Sequence, residues 1–346
     1  MQMTENKWRG AGLTEDTLEN VPWPSTDADA AQALVARYLT PGETPLVQAK
    51  GLGGDVWVKD ERGRMGLGSF KALGAAYVIT HQAAEAIGGS GADVTQALAG
   101  RTYVTASAGN HGLSLASGAA RFGAQAVVYL AHTVPEGFAQ RLRGLGADVV
   151  RAGAEYEASM AAAATGARDN GWTLLSDSSW PGYVELPHRL MEGYVVMAAE
   201  AARQMPEPPT HILLQAGVGG LAGACAAYFR KVWGEAPRII VVEPEAAPAL
   251  YNSVQAGAFV TTTGPVSNMG RLDCKEASLI ALKGLARDAD AFALITDEEA
   301  SAVLPELAAL GLETSQSGGA GLAALRHLGL PADARVLCIL SEGADA

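Results

Sequence analysis

From residue 102 onward, short apolar runs alternate with stretches of helical spacing. The runs at 102–106, 126–131, 148–151 and 172–176 are continuous rather than alternating. Such runs suit strands buried on both faces of a parallel sheet. Between them, 134–145 and 156–170 carry apolar residues at helical intervals, and small residues fill a helix that reaches Phe122. Pro135 is a favoured first helical residue. The segment Asp177-Ser178-Ser179-Trp180-Pro181-Gly182-Tyr183 breaks this rhythm, and a helix over 187–205 follows, closed by the prolines of 206–209. A second set then begins. Strands are expected at 211–216, 238–242, 291–295 and 335–340, with helices ending near Trp233 and spanning 317–328. Thr296 and Glu299 have capping-box spacing before another helix. Residues 257–278 read as irregular. Strand–helix alternation of this kind predicts an α/β fold with parallel sheets covered by helices.

The N-terminal part is less regular. Residues 1–45 form an extended lead-in with one helix at 27–38, closed by the turn Pro41-Gly42-Glu43-Thr44-Pro45. A strand at 56–59 meets the charged run Lys59-Asp60-Glu61-Arg62. Next comes Gly66-Leu67-Gly68-Ser69-Phe70-Lys71, entering a helix with Leu73, Tyr77 and Val78 on one face. That helix puts Lys71 in its first turn, where the backbone dipoles disfavour a cation. Burial by Phe70 and Leu73 would also ease loss of the proton. A neutral amine attacks carbonyls, the basis of Schiff-base chemistry. The competing account is a surface lysine lying along its helix. At Gly88-Gly89-Ser90-Gly91 the composition loosens into a linker.

Composition narrows the choices. The chain has 346 residues, 49% hydrophobic and 18% charged, enough for two domains. A net charge of -12 argues against nucleic acid or an anionic membrane surface as partner. No apolar run reaches the roughly 18 residues a membrane helix needs. The polar start lacks the apolar core of a signal peptide. Three cysteines, Cys225, Cys274 and Cys338, lie far apart, which fits a reduced, cytoplasmic protein. The histidines and cysteines lack metal-ligand spacing, so no metal site is expected.

Candidate chemistry gathers where strands end. Gly217, Val218, Gly219, Gly220 and Leu221 join a strand to a helix, and their backbone N–H groups suit a phosphate. They match neither the dinucleotide fingerprint nor the P-loop; close helix–strand packing is the alternative. Ser107-Ala108-Gly109-Asn110-His111-Gly112 follows another strand, where α/β sheets bind ligands. Its small residues admit a carboxylate and Asn110 could donate to a ring oxygen; a helix cap at Ser107 or Asn110 competes. Ser341 could meet a ring nitrogen or be a turn serine. Asp177 could be a site acid or base, or a turn residue. Together these groups suit pyridoxal phosphate with Lys71 as its Schiff-base partner.

The chain resembles the fold type II, tryptophan-synthase-β-like, pyridoxal-phosphate enzymes. The resemblance rests on Lys59-Asp60-Glu61, Gly68-Ser69-Phe70-Lys71, the 107–112 segment, Gly217-Val218-Gly219-Gly220 and Val242-Glu243-Pro244, in family order over most of the chain. Within that family it is most similar to the diaminopropionate ammonia-lyases. Trp57-Val58-Lys59-Asp60-Glu61, the segment Asp177…Tyr183, Glu243-Pro244-Glu245 and Ser341-Glu342-Gly343 carry this closer likeness. The resemblance implies two domains, 1–99 with 189–346 and a smaller, mobile 100–188, in a homodimer acting on a small amino acid. It implies that Lys71, beside Phe70, holds the cofactor and serves as base at Cα. It also implies that 217–221 bind the phosphate, Asn110 the phenolic oxygen and Ser341 the pyridine nitrogen. Ser107, Ala108, Gly109 and His111 would line the carboxylate loop, and Asp177 is the candidate for the β-amino leaving group.

Two departures bear on the substrate. The resembled lyases carry aspartate at position 108 and racemases of this fold carry serine, but this chain has Ala108, as threonine dehydratases do. Alanine exchanges no proton, so elimination from a single enantiomer is expected. Around Cys274, Met269-Gly270-Arg271-Leu272-Asp273-Cys274-Lys275-Glu276 follows the lyase pattern only in part. The expected activity is β-elimination from 2,3-diaminopropionate, giving pyruvate and ammonia. Alternatives are dehydration of a β-hydroxy amino acid and an inactive ligand-binding protein on the same fold.

Overall fold

The computed structural model describes residues 1–39, 42–88 and 93–344. The expected turn residue Pro41 and most of the expected linker (Gly89, Ser90, Gly91) lie outside them. The strands are β1 (Gln2–Glu5), β2 (Leu46–Gln48), β3 (Asp55–Asp60), β4 (Thr102–Ala106), β5 (Gln125–Leu130) and β6 (Asp148–Arg151). They continue with β7 (Thr173–Leu174), β8 (His211–Gln215), β9 (Arg238–Pro244), β10 (Ala291–Ile295) and β11 (Arg335–Leu340). The helices begin with α1 (Ala28–Tyr38), α2 (Ala75–Ile87), α3 (Asn110–Arg121), α4 (Glu136–Gly144), α5 (Tyr156–Asn170) and α6 (Glu185–Gln204). They continue with α7 (Gly220–Trp233), α8 (Ala249–Ala256), α9 (Leu279–Asp288), α10 (Asp297–Ala302), α11 (Leu304–Ala309) and α12 (Ala320–Leu325).

The chain groups into two compact units. One comprises Met1–Ala28, Gly42–Phe70 and Ser178–Ala346; the other comprises Asp29–Pro41 and Lys71–Asp177. The expected partition at 99/100 and 188/189 differs chiefly in keeping the segment after Lys71 with the larger part. The reason is helix packing. A Cβ at Gly118 of α3 would lie 2.8 Å from the Cα of Ala76 in α2. Two helices whose backbones approach that closely belong to one core.

The smaller unit holds a four-stranded sheet in the order β6-β5-β4-β7. All of its pairings are parallel. Val104 and Ala106 of β4 and Val127 of β5 pack against Ala163 and Ala167 of α5. The small alanine faces let the helix lie close to branched strand residues.

The larger unit holds a seven-stranded sheet in the order β1-β10-β9-β8-β11-β3-β2. The five inner strands are parallel, but β1 pairs antiparallel with β10 and β2 antiparallel with β3. The sheet is therefore largely parallel, as expected, and short antiparallel strands close the ladder at both edges. Helices α6, α7 and α9 pack together through small residues. A Cβ at Gly223 would meet Met191 Cε at 3.0 Å and Ala281 Cα at 3.3 Å. Neither α8 nor α9 was expected; α9 is buried over most of its surface, so its sequence shows little of the polar face that marks a helix. The capping box at Thr296 and Glu299 forms with both reciprocal bonds. The expected helix over 317–328 shortens to α12, and Pro135 caps α4 instead of starting it.

Candidate active site

The charged run after β3 turns inward rather than outward. Lys59, Glu61 and Arg64 are fully buried in the larger unit with Glu200 of α6. Arg64 Nη2 lies 2.7 Å from Glu61 Oε1 and 2.6 Å from Glu200 Oε2, and Lys59 Nζ lies 2.7 Å from Glu200 Oε2. Two cations face two carboxylates, so the cluster satisfies its own charge. It anchors the start of the glycine-rich loop. Beyond it Met65 (φ 51°), Gly66 (φ 70°) and Gly68 (φ 84°) are left-handed, a conformation that favours glycine and strains Met65.

Lys71 does not sit in the first turn of an α-helix as expected. Residues Phe70–Leu73 form a short 3₁₀ turn, Gly74 interrupts it (ψ −93°), and α2 starts at Ala75. Lys71 therefore lies outside the α-helix whose N-terminal dipoles would disfavour its charge. Its ammonium instead forms an ion pair with the carboxylate of Asp177, at the other end of the smaller unit's main segment. Each side chain is 21% exposed. Burial pushes the Asp177 carboxyl up, but the Lys71 ammonium beside it outweighs this and holds it well below the usual carboxylate range.

The loop after β4 supplies the rest of this unit's polar groups. Gly109 holds the N-cap position of α3 and Asn110 is its first residue, so Asn110 is not the helix cap. Ser107 Oγ accepts from the backbone N–H of Gly109 (3.2 Å) and of Gly112 (3.1 Å), which closes the loop. Ala108 is half-buried and Asn110 buried. His111 Nε2 donates to the Leu175 carbonyl at 2.8 Å, and its buried Nδ1 has no hydrogen-bond partner among the described residues. Burial holds the His111 pKa below its ordinary 6.5, against the raising effect of Asp177. The imidazole is therefore neutral with the proton on Nε2, leaving Nδ1 as a bare acceptor.

These shifts carry a sign. In the unfolded chain His111 and Asp177 take up protons at their ordinary values, while the folded chain resists both. Their contribution to stability is complete above the unfolded pKa of His111 and falls as the pH drops. The melting temperature is expected to decline below about pH 6, with a shallower decline in His111→Gln. Thermal unfolding followed across pH 4–8 checks this; an equal slope in the variant would exclude His111 as a source.

In the larger unit, β8 runs into Gly217, Val218, Gly219, Gly220 and Leu221, and α7 starts at Gly220. Gly219 caps α7 with φ +95° and no side-chain bond. A Cβ on Gly217 would meet Cys274 Sγ at 3.0 Å and Arg271 O at 3.1 Å; one on Gly219 would meet Ala281 Cβ at 2.9 Å. Glycine is thus required on steric grounds at both positions. The result is a backbone-only cradle at the N-terminus of a long helix, whose first N–H groups lack helical acceptors and carry partial positive charge. A phosphate fits it. The Val218 carbonyl accepts from Ser278 N–H at 2.9 Å, which ties the cradle to α9.

Ser341 follows β11 and is 5% exposed. Its carbonyl accepts from the N–H of Phe70 at 3.0 Å, the residue before Lys71. The Phe70 ring lies 4.9 Å from that of Tyr194, tilted by 58°. The Ser341 hydroxyl accepts from Gln215 Nε2 at 3.1 Å. Its own proton is left for an acceptor such as an aromatic nitrogen. Gln215 escaped the sequence reading; the one clue was a polar residue closing the apolar strand His211-Ile212-Leu213-Leu214. Among the described residues, no group of three or more His, Cys, Asp or Glu could hold a metal ion. No helix among them is long and apolar enough to cross a membrane.

A primary amine, a phosphate cradle and a hydroxyl donor are the groups that pyridoxal phosphate requires. Comparison with known proteins agrees. The model of the pyridoxal-phosphate dependent enzyme family matches residues 38–342. Diaminopropionate ammonia-lyase of Salmonella typhimurium is 35% identical over 258 residues, which covers 68% of this chain and 63% of that protein. The Escherichia coli (strain K12) diaminopropionate ammonia-lyase is 32% identical over 331 residues, 83% of this chain and 80% of the relative. A crystal structure of the Escherichia coli enzyme in complex with D-serine superposes with a TM-score of 0.87 at 27% identity, over 99% of this chain and 93% of that one. The shared sheet architecture, the glycine cradle and a match over most of its length show that this chain belongs to the family of pyridoxal-phosphate dependent enzymes.

Proposed function

We propose that the protein is an ammonia-lyase that eliminates the β-amino group of 2,3-diaminopropionate and releases pyruvate and ammonia. The observation that carries this reading is the ion pair between Asp177 and Lys71. A carboxylate that binds the ammonium of Lys71 here can bind a substrate's second ammonium in its place. A β-hydroxy amino acid offers no such cation.

When bound, pyridoxal phosphate supplies a carbonyl for the amine and a ring that takes up negative charge from Cα. The backbone N–H groups at 217–221 would hold the phosphate, Ser341 would donate to the ring nitrogen and Asn110 to the phenolic oxygen. Ser107, Gly109 and His111 orient the substrate carboxylate. Lys71, as the neutral amine, removes the proton from Cα, and Asp177, no longer paired with it, holds the β-ammonium while the Cβ–N bond breaks. Loss of ammonia leaves 2-aminoacrylate, and water converts it to pyruvate and a second ammonia. One diaminopropionate and one water thus give one pyruvate and two ammonia.

Ala108 supports a second reading, dehydration of serine or threonine. It also supports the use of one enantiomer, since proton exchange is restricted to the Lys71 side. The reading includes a homodimer in the cytoplasm; none of the three cysteines is in a disulfide, as a reducing compartment favours. Incubation with DL-diaminopropionate is expected to yield pyruvate and ammonia in a 1:2 ratio and to stop when half the racemate is consumed. Complete consumption would overturn the single-enantiomer assignment. Turnover of serine or threonine without diaminopropionate would favour the dehydratase. A visible cofactor band with no turnover of either class would leave a binding protein.

A further inference from the structure

We propose that Gln215 is a positioning residue that sets the direction of the Ser341 hydroxyl and thereby the protonation of the cofactor's pyridine nitrogen. This rests on the reading that places that nitrogen at Ser341. Gln215 ends β8 and Ser341 follows β11, its neighbour in the sheet. Gln215 is 2% exposed. Its Nε2 lies 3.0 Å from the Gly318 carbonyl, 2.9 Å from the Ile339 carbonyl and 3.1 Å from Ser341 Oγ.

The two carbonyls only accept, so the amide presents its nitrogen to this corner and its orientation is determined. An NH₂ group only donates. Ser341 Oγ, the third oxygen around it, can therefore only accept from Gln215. Its own proton has to point elsewhere, and Ser341 makes no other side-chain hydrogen bond among the described residues. A hydroxyl held this way donates to the ring nitrogen and requires that nitrogen to be unprotonated. The remaining atom, Gln215 Oε1, is buried without a hydrogen-bond partner among the described residues. A buried orphan oxygen carries a cost that leucine would avoid, so its retention points to the nitrogen's role.

Without Gln215 the serine hydroxyl loses the donor that fixes its direction. Rotation would turn the Oγ lone pair to the ring, repel an unprotonated nitrogen and favour a protonated one. A protonated ring is the stronger electron sink and favours side transamination over elimination.

The test compares wild type, Gln215→Leu, Ser341→Ala and the double variant. Each apoprotein is titrated with pyridoxal phosphate, and the pH dependence of the visible band is recorded for the loaded form. Gln215→Leu is expected to weaken cofactor binding roughly tenfold, the scale of one buried hydrogen bond, and to move the midpoint of the band. In the Ser341→Ala background the same change should cost less than about twofold, because Gln215 acts through the hydroxyl. Equal losses in both backgrounds, or no loss in either, would overturn the proposal alone. If Ser341→Ala itself alters neither affinity nor band, the placement of the ring nitrogen fails and the proposal falls with it. Should Gln215→Leu not fold, Gln215→Glu keeps the volume and reverses the polarity. Its carboxyl draws the serine proton away from the ring, so the same band shift is expected, and an unshifted band would overturn the proposal.

Discussion

Replacing Lys71 with alanine is expected to lower release of pyruvate from diaminopropionate by at least about 1,000-fold and to alter the visible band of the loaded protein. Two losses combine. Alanine offers no amine to bond the cofactor covalently and no base to take the Cα proton. Removal of one positioned proton-transfer group costs roughly 10²–10⁴-fold. The fold should survive, because the 3₁₀ turn is held by backbone bonds and by the buried Phe70 and Leu73 on either side. Retained affinity for pyridoxal phosphate with lost turnover is the outcome that isolates chemistry from binding. Turnover within tenfold of wild type would remove Lys71 from the base role.

Asp177→Asn is expected to reduce diaminopropionate turnover by roughly 10–100-fold, the value of a charge-assisted hydrogen bond to a partly buried group. The change keeps the size of the side chain and removes only its charge. The loss should therefore be selective. β-Chloroalanine, whose leaving group is an anion, should be eliminated at close to the wild-type rate. An equal loss for both substrates would assign Asp177 to the setting of Lys71 instead of to the leaving group. Unchanged diaminopropionate turnover would exclude the role. The variant also changes the acid side of the stability profile. Asp177 is held ionised by Lys71, so its contribution is present above its ordinary pKa and lost as the pH falls. The asparagine variant should lose less stability between pH 5 and 2 than the wild type does.

The Asp177 prediction depends on a contact between residues 106 positions apart. Nothing local in the sequence links them. Asp177 reads as a turn residue following a strand, and Lys71 as a helix residue. Their pairing arises because the smaller unit's main segment starts at one and ends at the other, with a parallel sheet between. The same holds for Gln215 and Ser341, 126 positions apart. They meet because β8 and β11 are parallel neighbours whose C-terminal ends fall side by side.

What the sequence determined by itself was local and periodic. Continuous apolar runs specified the buried parallel strands, and α5 spans the expected 156–170. The glycine-rich turn between β8 and α7 was legible from its composition, and Gly217 and Gly219 have no room for a Cβ. The capping box at Thr296 was legible because both of its bonds lie within one helical turn. The tertiary structure alone decided the antiparallel edges, the burial of the Lys59–Glu61–Arg64–Glu200 cluster, the 3₁₀ turn under Lys71 and the partners of Asp177 and Ser341. The physical reason is range. Period and turn chemistry act over a few residues and are written in neighbouring side chains, whereas strand order and crossover bring distant polar groups together.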